Sequence, residues 1–287
     1  MNFNLYKQAT EFEVVAKPFL VENEDVYSLF YGILQGIKVG RYENPLMVTI
    51  EEEGHLIALF QMTPPHPLNI VIIDETQTDA ILTFAASEFL DREIHIPSVV
   101  GLKSVVFSFA KVWTELTQVD IRLAMDQGLY RLDEVNQSLP CSAGTWRYAR
   151  KDEAPLIEEW YHAFNEDVGL PKADNHEIQL KVEQFLEGQE VFFWEDNGKV
   201  VSMMKKARPS DHGVTVSFVF TPQEERKKGY ARTMVAAGSE ELLKTYDFCV
   251  LYTDMMNPTS NKIYQEIGYK KIADSVHLEF IKKDTNN

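Results

Sequence analysis

The chain has 287 residues, 45% of them apolar, with 28 Lys and Arg set against 44 Asp and Glu. That apolar content is too high for a disordered chain, and no uninterrupted apolar run reaches the ~18 residues that a membrane span needs. A net charge of −16 repels phosphate backbones and anionic lipid, which argues against a nucleic-acid or membrane binder.

At roughly 150 residues per domain the length predicts two domains. The start, Met1–Lys7, has no basic stretch followed by an apolar block, so no secretory signal is expected. Cys141 and Cys249 are the only cysteines. They make no disulfide framework, and a reducing cytoplasm is the expected location.

In chain order, the first clear pattern is Val48–Phe60, which reads as strand, tight turn, strand. A further apolar strand, Asn69–Ile73, follows. After it comes Asp74-Glu75-Thr76-Gln77-Thr78-Asp79-Ala80, acidic and without Gly. At mid-chain, Ser138–Gly144 lacks periodicity and is rich in Pro, Ser and Gly, the residues that interrupt regular structure. A boundary there predicts domains at 1–140 and 144–287. The first part holds 9 basic and 20 acidic residues up to position 143, and the second holds 19 and 24. Any anionic ligand is therefore better received by the second.

Beyond the boundary, Trp146–Tyr148 reads as a short strand. Leu156, Ile157, Trp160, Tyr161 and Phe164 fall at helical spacing within Asp152–Phe164. A second helix is expected near Glu177–Leu186, then strands near 191–195, 199–206 and 214–220. A helix near Gly229–Thr245 precedes Phe248–Tyr252, an apolar run suited to a buried strand. A helix near Thr259–Ile267 and a strand at Val276–Ile281 complete the reading. Strands interleaved with helices make the class mixed α/β. The stretch Phe192–Met204 repeats the grammar of Val48–Phe60 after 144 positions, with Gly54 and Gly198 each following three polar residues. The two halves therefore read as a diverged duplication.

The chemistry concentrates in Ser217–Met234. A strand ends near Thr221, a short loop follows, and a helix opens at about Gly229. The first turn of a helix carries unpaired N–H groups and partial positive charge, which suits phosphate. Gly229 offers no side chain to block a phosphate oxygen, and Arg226, Lys227 and Lys228 add positive charge. Together these residues suit a pyrophosphate.

Arg226-x-x-Gly229-x-Ala231 resembles the R/Q-x-x-G-x-G/A signature of the GNAT N-acetyltransferases. Asn257–Tyr269 resembles the family's second block, and the likeness spans about 144–285. It implies a GNAT-like mixed sheet, with two tandem GNAT-like domains, the first degenerate and without a phosphate loop. It also implies acetyl-CoA as cosubstrate, no metal, and a primary amine of a small molecule or polypeptide as acceptor. Val219, Phe220 and Thr221 are expected to present backbone groups to the pantetheine arm. Arg226, Lys227, Lys228, Gly229, Tyr230 and Ala231 are expected to wrap the pyrophosphate. Asn257 should bond the arm, and Tyr264 should lie near the sulfur. Lys227 and Ala231 stand where the family often has Gly.

Direct attack on the thioester needs an acid for the departing thiolate and a route for the amine's proton. Tyr264 is the expected acid, against the simpler reading of a packed helix residue. Asp254 is the candidate base, against that of a loop cap. Glu224 and Glu225 are weaker candidates, read first as solvated charges, and a water chain is the remaining route. Lys205-Lys206 is read as a solvated face and the four Trp residues as core. The seven His residues show no paired metal spacing, and no G-x-S-x-G elbow occurs. A non-catalytic acyl-CoA sensor or partner-binding module is the alternative function. A third reading makes the Arg226–Lys228 patch merely solvated. Oligomeric state is not encoded in any recognisable motif.

Overall fold

The computed structural model describes residues 1–169 and 174–283. The first part of the chain forms β1 (Asn2–Leu5), α1 (Ala9–Glu22), α2 (Ser28–Lys38), β2 (Leu46–Glu52), β3 (His55–Met62), β4 (Leu68–Ile72), α3 (Thr78–Asp91), β5 (Ser98–Leu102), α4 (Lys103–Thr117) and β6 (Asp120–Leu132). The second part forms β7 (Thr145–Tyr148), α5 (Ala154–Asp167), α6 (Asn175–Glu187), β8 (Val191–Asp196), β9 (Lys199–Ala207), β10 (Gly213–Phe220), α7 (Tyr230–Leu242), β11 (Phe248–Asp254), α8 (Pro258–Ile267) and β12 (Lys270–Ile281). The helices and strands read from the second half are all present. β12 starts six residues earlier than its apolar pattern indicated, because Lys270–Ser275 is mostly polar and carries no alternation signal.

Two compact units arise. One comprises Met1–Tyr130, Tyr252–Asn257 and the chain from Lys271; the other comprises Arg131–Leu251 and Pro258–Lys270. The chain therefore changes unit several times, and Ser138–Gly144 lies within the second unit. The physical reason is strand pairing. β12, from the end of the chain, pairs antiparallel with β5 through Ser275↔Leu102 to Glu279↔Ser98 and so joins the first unit's sheet.

In the first unit β1 to β4 pair antiparallel in sequence order, and β4 pairs parallel with β5. Side chains alternate across the sheet. Met47, Leu59 and Val71 meet Phe12, Leu20, Phe30 and Leu34 of α1 and α2. Val48, Ile50, Phe60 and Ile70 meet Leu82, Phe89 and Phe109 of α3 and α4. Both faces are covered, which explains why the strands are nearly continuous in apolar residues. Each fully buried Leu or Phe contributes roughly 1.5–3 kcal/mol.

The second unit repeats this plan. β7 to β10 pair antiparallel and β10 pairs parallel with β11. Ile157, Trp160, Ile178 and Val182 of α5 and α6 pack on Phe193, Met203 and Phe220. The two units also match in backbone detail. The β2–β3 turn has Glu53 at φ 51° and Gly54 at 80°, and the β8–β9 turn has Asn197 at 49° and Gly198 at 77°. Two successive positive φ values define the hairpin turn that matches strand twist. Each hairpin also shifts register at the same place, between Ile50 and Glu51 and between Trp194 and Glu195. Turn and shift are both displaced by the 144 positions seen in the sequence.

Trp113, Trp160 and Trp194 are buried as expected of core residues. Lys205 departs from the expected solvated face. Its Nζ donates to Glu190 Oε2 at 2.6 Å and lies 4.2 Å from the centre of the Phe185 ring. A neighbouring carboxylate and an aromatic face make a mostly buried lysine tolerable.

Candidate active site

β10 and β11 share three registered pairs, Gly213↔Phe248 to Thr215↔Val250. β10 then runs on to Phe220 beside β9, with a register shift between Ser217 and Phe220. Within the shift Phe218 adopts φ 51°. A bulky residue in the left-handed region costs roughly 1–2 kcal/mol and persists only if its surroundings hold it. The ring of Phe218 packs edge-on against Tyr161 at 5.0 Å and Phe164 at 4.7 Å, both on α5. The amphipathic helix thus anchors the bulge. Ser202 Oγ donates to the Phe220 carbonyl at 3.1 Å, and the Thr221 carbonyl accepts from Arg226 Nε at 2.9 Å. Two of the three carbonyls expected to face an arm are therefore also tied within the protein.

From Thr221 the chain passes through Pro222 and a 3₁₀ turn, Gln223–Glu225, to an extended Arg226. Lys227 follows at φ 65° and Gly229 at φ 84°. Gly229 is the N-cap of α7 and supplies no side-chain cap. The loop therefore leads into a helix N-terminus, with its partial positive charge, that the N-cap residue leaves without a side-chain cap.

The need for glycine at 229 differs from the expectation. A Cβ there would sit 2.8 Å from Ser142 Oγ, and its φ is left-handed. The residue is required by backbone shape and by a neighbouring segment as much as by room for a phosphate.

The basic residues also do more than add charge. Arg226 Nη2 bonds the Asp167 carboxylate. Glu225, expected to be solvated, is buried. Its Oε1 accepts from Lys199 Nζ at 2.6 Å and its Oε2 from Lys228 Nζ at 2.7 Å. Hydrogen bonds from the two lysines hold its carboxyl below the usual range. Tyr230 donates to Asp196 Oδ2 at 2.6 Å, tying the start of α7 to the β8–β9 hairpin. Arg226 and Lys228 thus shape the loop through carboxylates.

Tyr264 lies on α8, 9% exposed, edge-on to Tyr269 at 6.0 Å. Burial pushes its phenol up to about 12, so it stays protonated at neutral pH. Asp254 ends β11, and its Oδ1 accepts from the Met256 N–H at 2.8 Å. Its carbonyl accepts from the Asn257 N–H at 3.0 Å. Asp254 therefore caps the turn that leads to Asn257. Glu224 is exposed. Among the described residues no group of three or more His, Cys, Asp and Glu is arranged to hold a metal, and no helix is long and apolar enough to cross a membrane.

Residues 197–278, which span the β8–β9 turn to β12, match the family model described as FR47-like protein, a GNAT-type family. An acetyltransferase of the GNAT family from Colwellia psychrerythraea is similar over 98% of this chain and 100% of its own, at 12% identity and a TM-score of 0.63. A GCN5-related N-acetyltransferase from Sphaerobacter thermophilus is similar over 99% and 98%, at 12% and 0.65. The chain has the tandem GNAT fold. A tandem GNAT protein from the clavulanic acid biosynthesis pathway is likewise similar over 97% of this chain and 98% of its own, at 9% identity and 0.58. No curated protein matches the chain in sequence.

The two GNAT units differ where the second has its loop. After β4 the first unit places Asp74, whose Oδ1 accepts from the Thr76 N–H at 3.1 Å and from Thr76 Oγ1 at 2.6 Å. These bonds, with one from Gln77, hold the Asp74 carboxyl below its ordinary range. Carboxylates thus occupy the approach to α3, with Asp79 in its first turn. The acidic, glycine-free run of the sequence made that difference legible. The Glu225 clamp, the left-handed Phe218 and the contact with Ser142 had no such signal, since each depends on residues distant in the chain.

Proposed function

We propose that this chain is an N-acetyltransferase that moves the acetyl group of acetyl-CoA to a primary amine of a small molecule or polypeptide, and that the second unit binds the coenzyme. The observation that carries this reading is one continuous piece of backbone. A bulged strand that parts from its parallel neighbour runs straight into a left-handed loop and a helix N-terminus without a side-chain cap. The parted strand suits an extended amide-bearing arm, and the loop suits the pyrophosphate at its end. The FR47-like match over the same segment, and the acetyltransferases among the similar structures, support the same reading.

In this proposal the N–H groups from Lys227 to Ala231 hold the pyrophosphate, and Val219 to Thr221 flank the arm. A primary amine has a pKa of about 10.4, so only about one molecule in 10³ is nucleophilic at pH 7. Loss of that proton precedes attack. Asp254, the candidate base, already accepts the Met256 N–H, so we assign it to the turn and let the proton leave through water. The amine nitrogen then attacks the thioester carbonyl, the C–N bond forms, and a backbone N–H near the bulge stabilises the oxyanion. Collapse breaks the C–S bond as the nitrogen gives up its second proton to water, and Tyr264 gives its proton to the leaving thiolate and regains one from solvent.

The test is a thiol-release screen with acetyl-CoA against a panel of amines. Saturable, amine-dependent thiol release is expected. Saturable binding of acetyl-CoA without turnover on any amine would contradict the enzyme reading.

A further inference from the structure

The stretch Pro140–Gly144 carries no function in the account so far, yet it lies across the entry to α7. Its anchors form a chain of hydrogen bonds. Ser142 N–H donates to Thr233 Oγ1 at 3.0 Å, Thr233 Oγ1 donates to Ser142 Oγ at 3.3 Å, and Ser142 Oγ donates to the Lys228 carbonyl at 3.0 Å. Every hydroxyl in this chain both gives and receives, which fixes its direction. On one side, Arg232 Nη2 donates to the Pro140 carbonyl at 3.3 Å while its Nη1 bonds Glu266 Oε2 at 2.9 Å. On the other, Trp194 Nε1 donates to the Ala143 carbonyl at 2.9 Å. Thr233 is buried.

These contacts fall on the residues that give the loop its shape. The Lys228 carbonyl belongs to the peptide that enters Gly229. Lys228 itself lies between two left-handed residues, Lys227 and Gly229. The Ser142 oxygen occupies the space beside Gly229 where a Cβ would project. The peptide is therefore held from outside by a residue 86 positions away in the chain. Lys227, a non-glycine residue in the left-handed region, relaxes toward commoner conformations unless something retains the loop. Relaxation at Lys227 would reorient the Lys228–Gly229 peptide, which the Ser142 bond to the Lys228 carbonyl opposes.

We infer that Ser142 is a positioning residue for pyrophosphate recognition: with Thr233 it straps the Lys228–Gly229 peptide into the orientation that lets the loop receive the two phosphates of the coenzyme. This rests on the proposed use of the loop for acetyl-CoA. It assigns the mid-chain stretch a duty beyond joining two halves. It also requires an effect confined to the phosphate end of the donor, since Ser142 touches neither β10 nor Tyr264 among the bonds described.

The experiment measures donor binding by titration calorimetry on the full chain, with Ser142→Ala and Thr233→Val beside the parent. The donors are acetyl-CoA and acetyl-pantetheine, which lacks the pyrophosphate. Loss of one ordering hydrogen bond predicts acetyl-CoA affinity about tenfold weaker in each variant, with acetyl-pantetheine affinity unchanged. If both variants bind acetyl-CoA as the parent does, or lose affinity equally for both donors, the strap's role is overturned while the coenzyme site stands. If the parent itself shows no saturable acetyl-CoA binding, the proposed function falls and the strap's role falls with it.

Discussion

In the proposed mechanism Tyr264 supplies the proton to the thiolate, and its environment sets clear expectations. With its phenol pushed to about 12 by burial, it remains a proton donor throughout the range in which amines become nucleophilic. Activity should therefore climb with pH as the acceptor loses its proton, and kcat/KM should show no descending limb below about pH 10. A limb near pH 8 would mean that another group supplies the proton. Replacing Tyr264 by Phe keeps the ring that packs on Tyr269 and removes the donor. We expect kcat to fall by about 10²-fold with the Kd for acetyl-CoA unchanged by calorimetry. Asp254 carries the opposite expectation. Asn at 254 preserves an oxygen for the Met256 N–H, so Asp254→Asn should leave kcat within about threefold, whereas a true general base would cost about 10²-fold or more. The sequence alone could not separate these jobs. A carboxylate just past a strand is equally suited to a cap and to a base until the Met256 contact is known.

Among the elements, the loop from Pro222 to α7 joins local and distant information. The motif, the helix and the buried strand after it were legible because each rests on residues close together in the chain. So were both hairpins, where a glycine after three polar residues marks the turn. The strained parts were not. Phe218 has no local reason for φ 51°; its conformation depends on Tyr161 and Phe164, more than fifty positions earlier. Glu225 reads as surface charge until Lys199 is brought to it. Ser138–Gly144 reads as a linker because breaker residues say nothing of what a segment packs on. These points converge on Gly229→Ala. The added Cβ meets both the positive φ and Ser142 Oγ, so the loop must shift. Affinity for acetyl-CoA should drop at least about tenfold, with far-UV circular dichroism unchanged because α7 begins only after this residue. Unaltered affinity would show that the loop's shape does not matter to binding.

At the scale of the molecule, buried ionisable groups and net charge give two further expectations. Burial pushes Cys249 and Tyr264 each up to about 12, from ordinary values of 9 and 10. In the unfolded chain both ionise near those ordinary values, so rising pH stabilises the unfolded state first. The stability contributed by keeping them neutral is complete below pH 9 and is lost progressively toward pH 12. The thermal midpoint should fall across that interval, and Cys249→Ser should flatten the part below pH 10; a flat parent profile would contradict the burial argument. The charge of −16 draws cationic molecules inward, and salt screens that attraction. For a polyamine acceptor KM should rise with ionic strength, and a KM indifferent to salt would remove long-range attraction from the account.

The two units share hairpin turns, register shifts and strand pairing, yet only the second has a left-handed loop before its helix, while carboxylates stand at that place in the first. The most direct measurement is therefore the stoichiometry and affinity of acetyl-CoA for the intact chain by titration calorimetry. The account predicts saturable binding at one site per chain. Two equivalent sites, or no saturation at millimolar coenzyme, would contradict it.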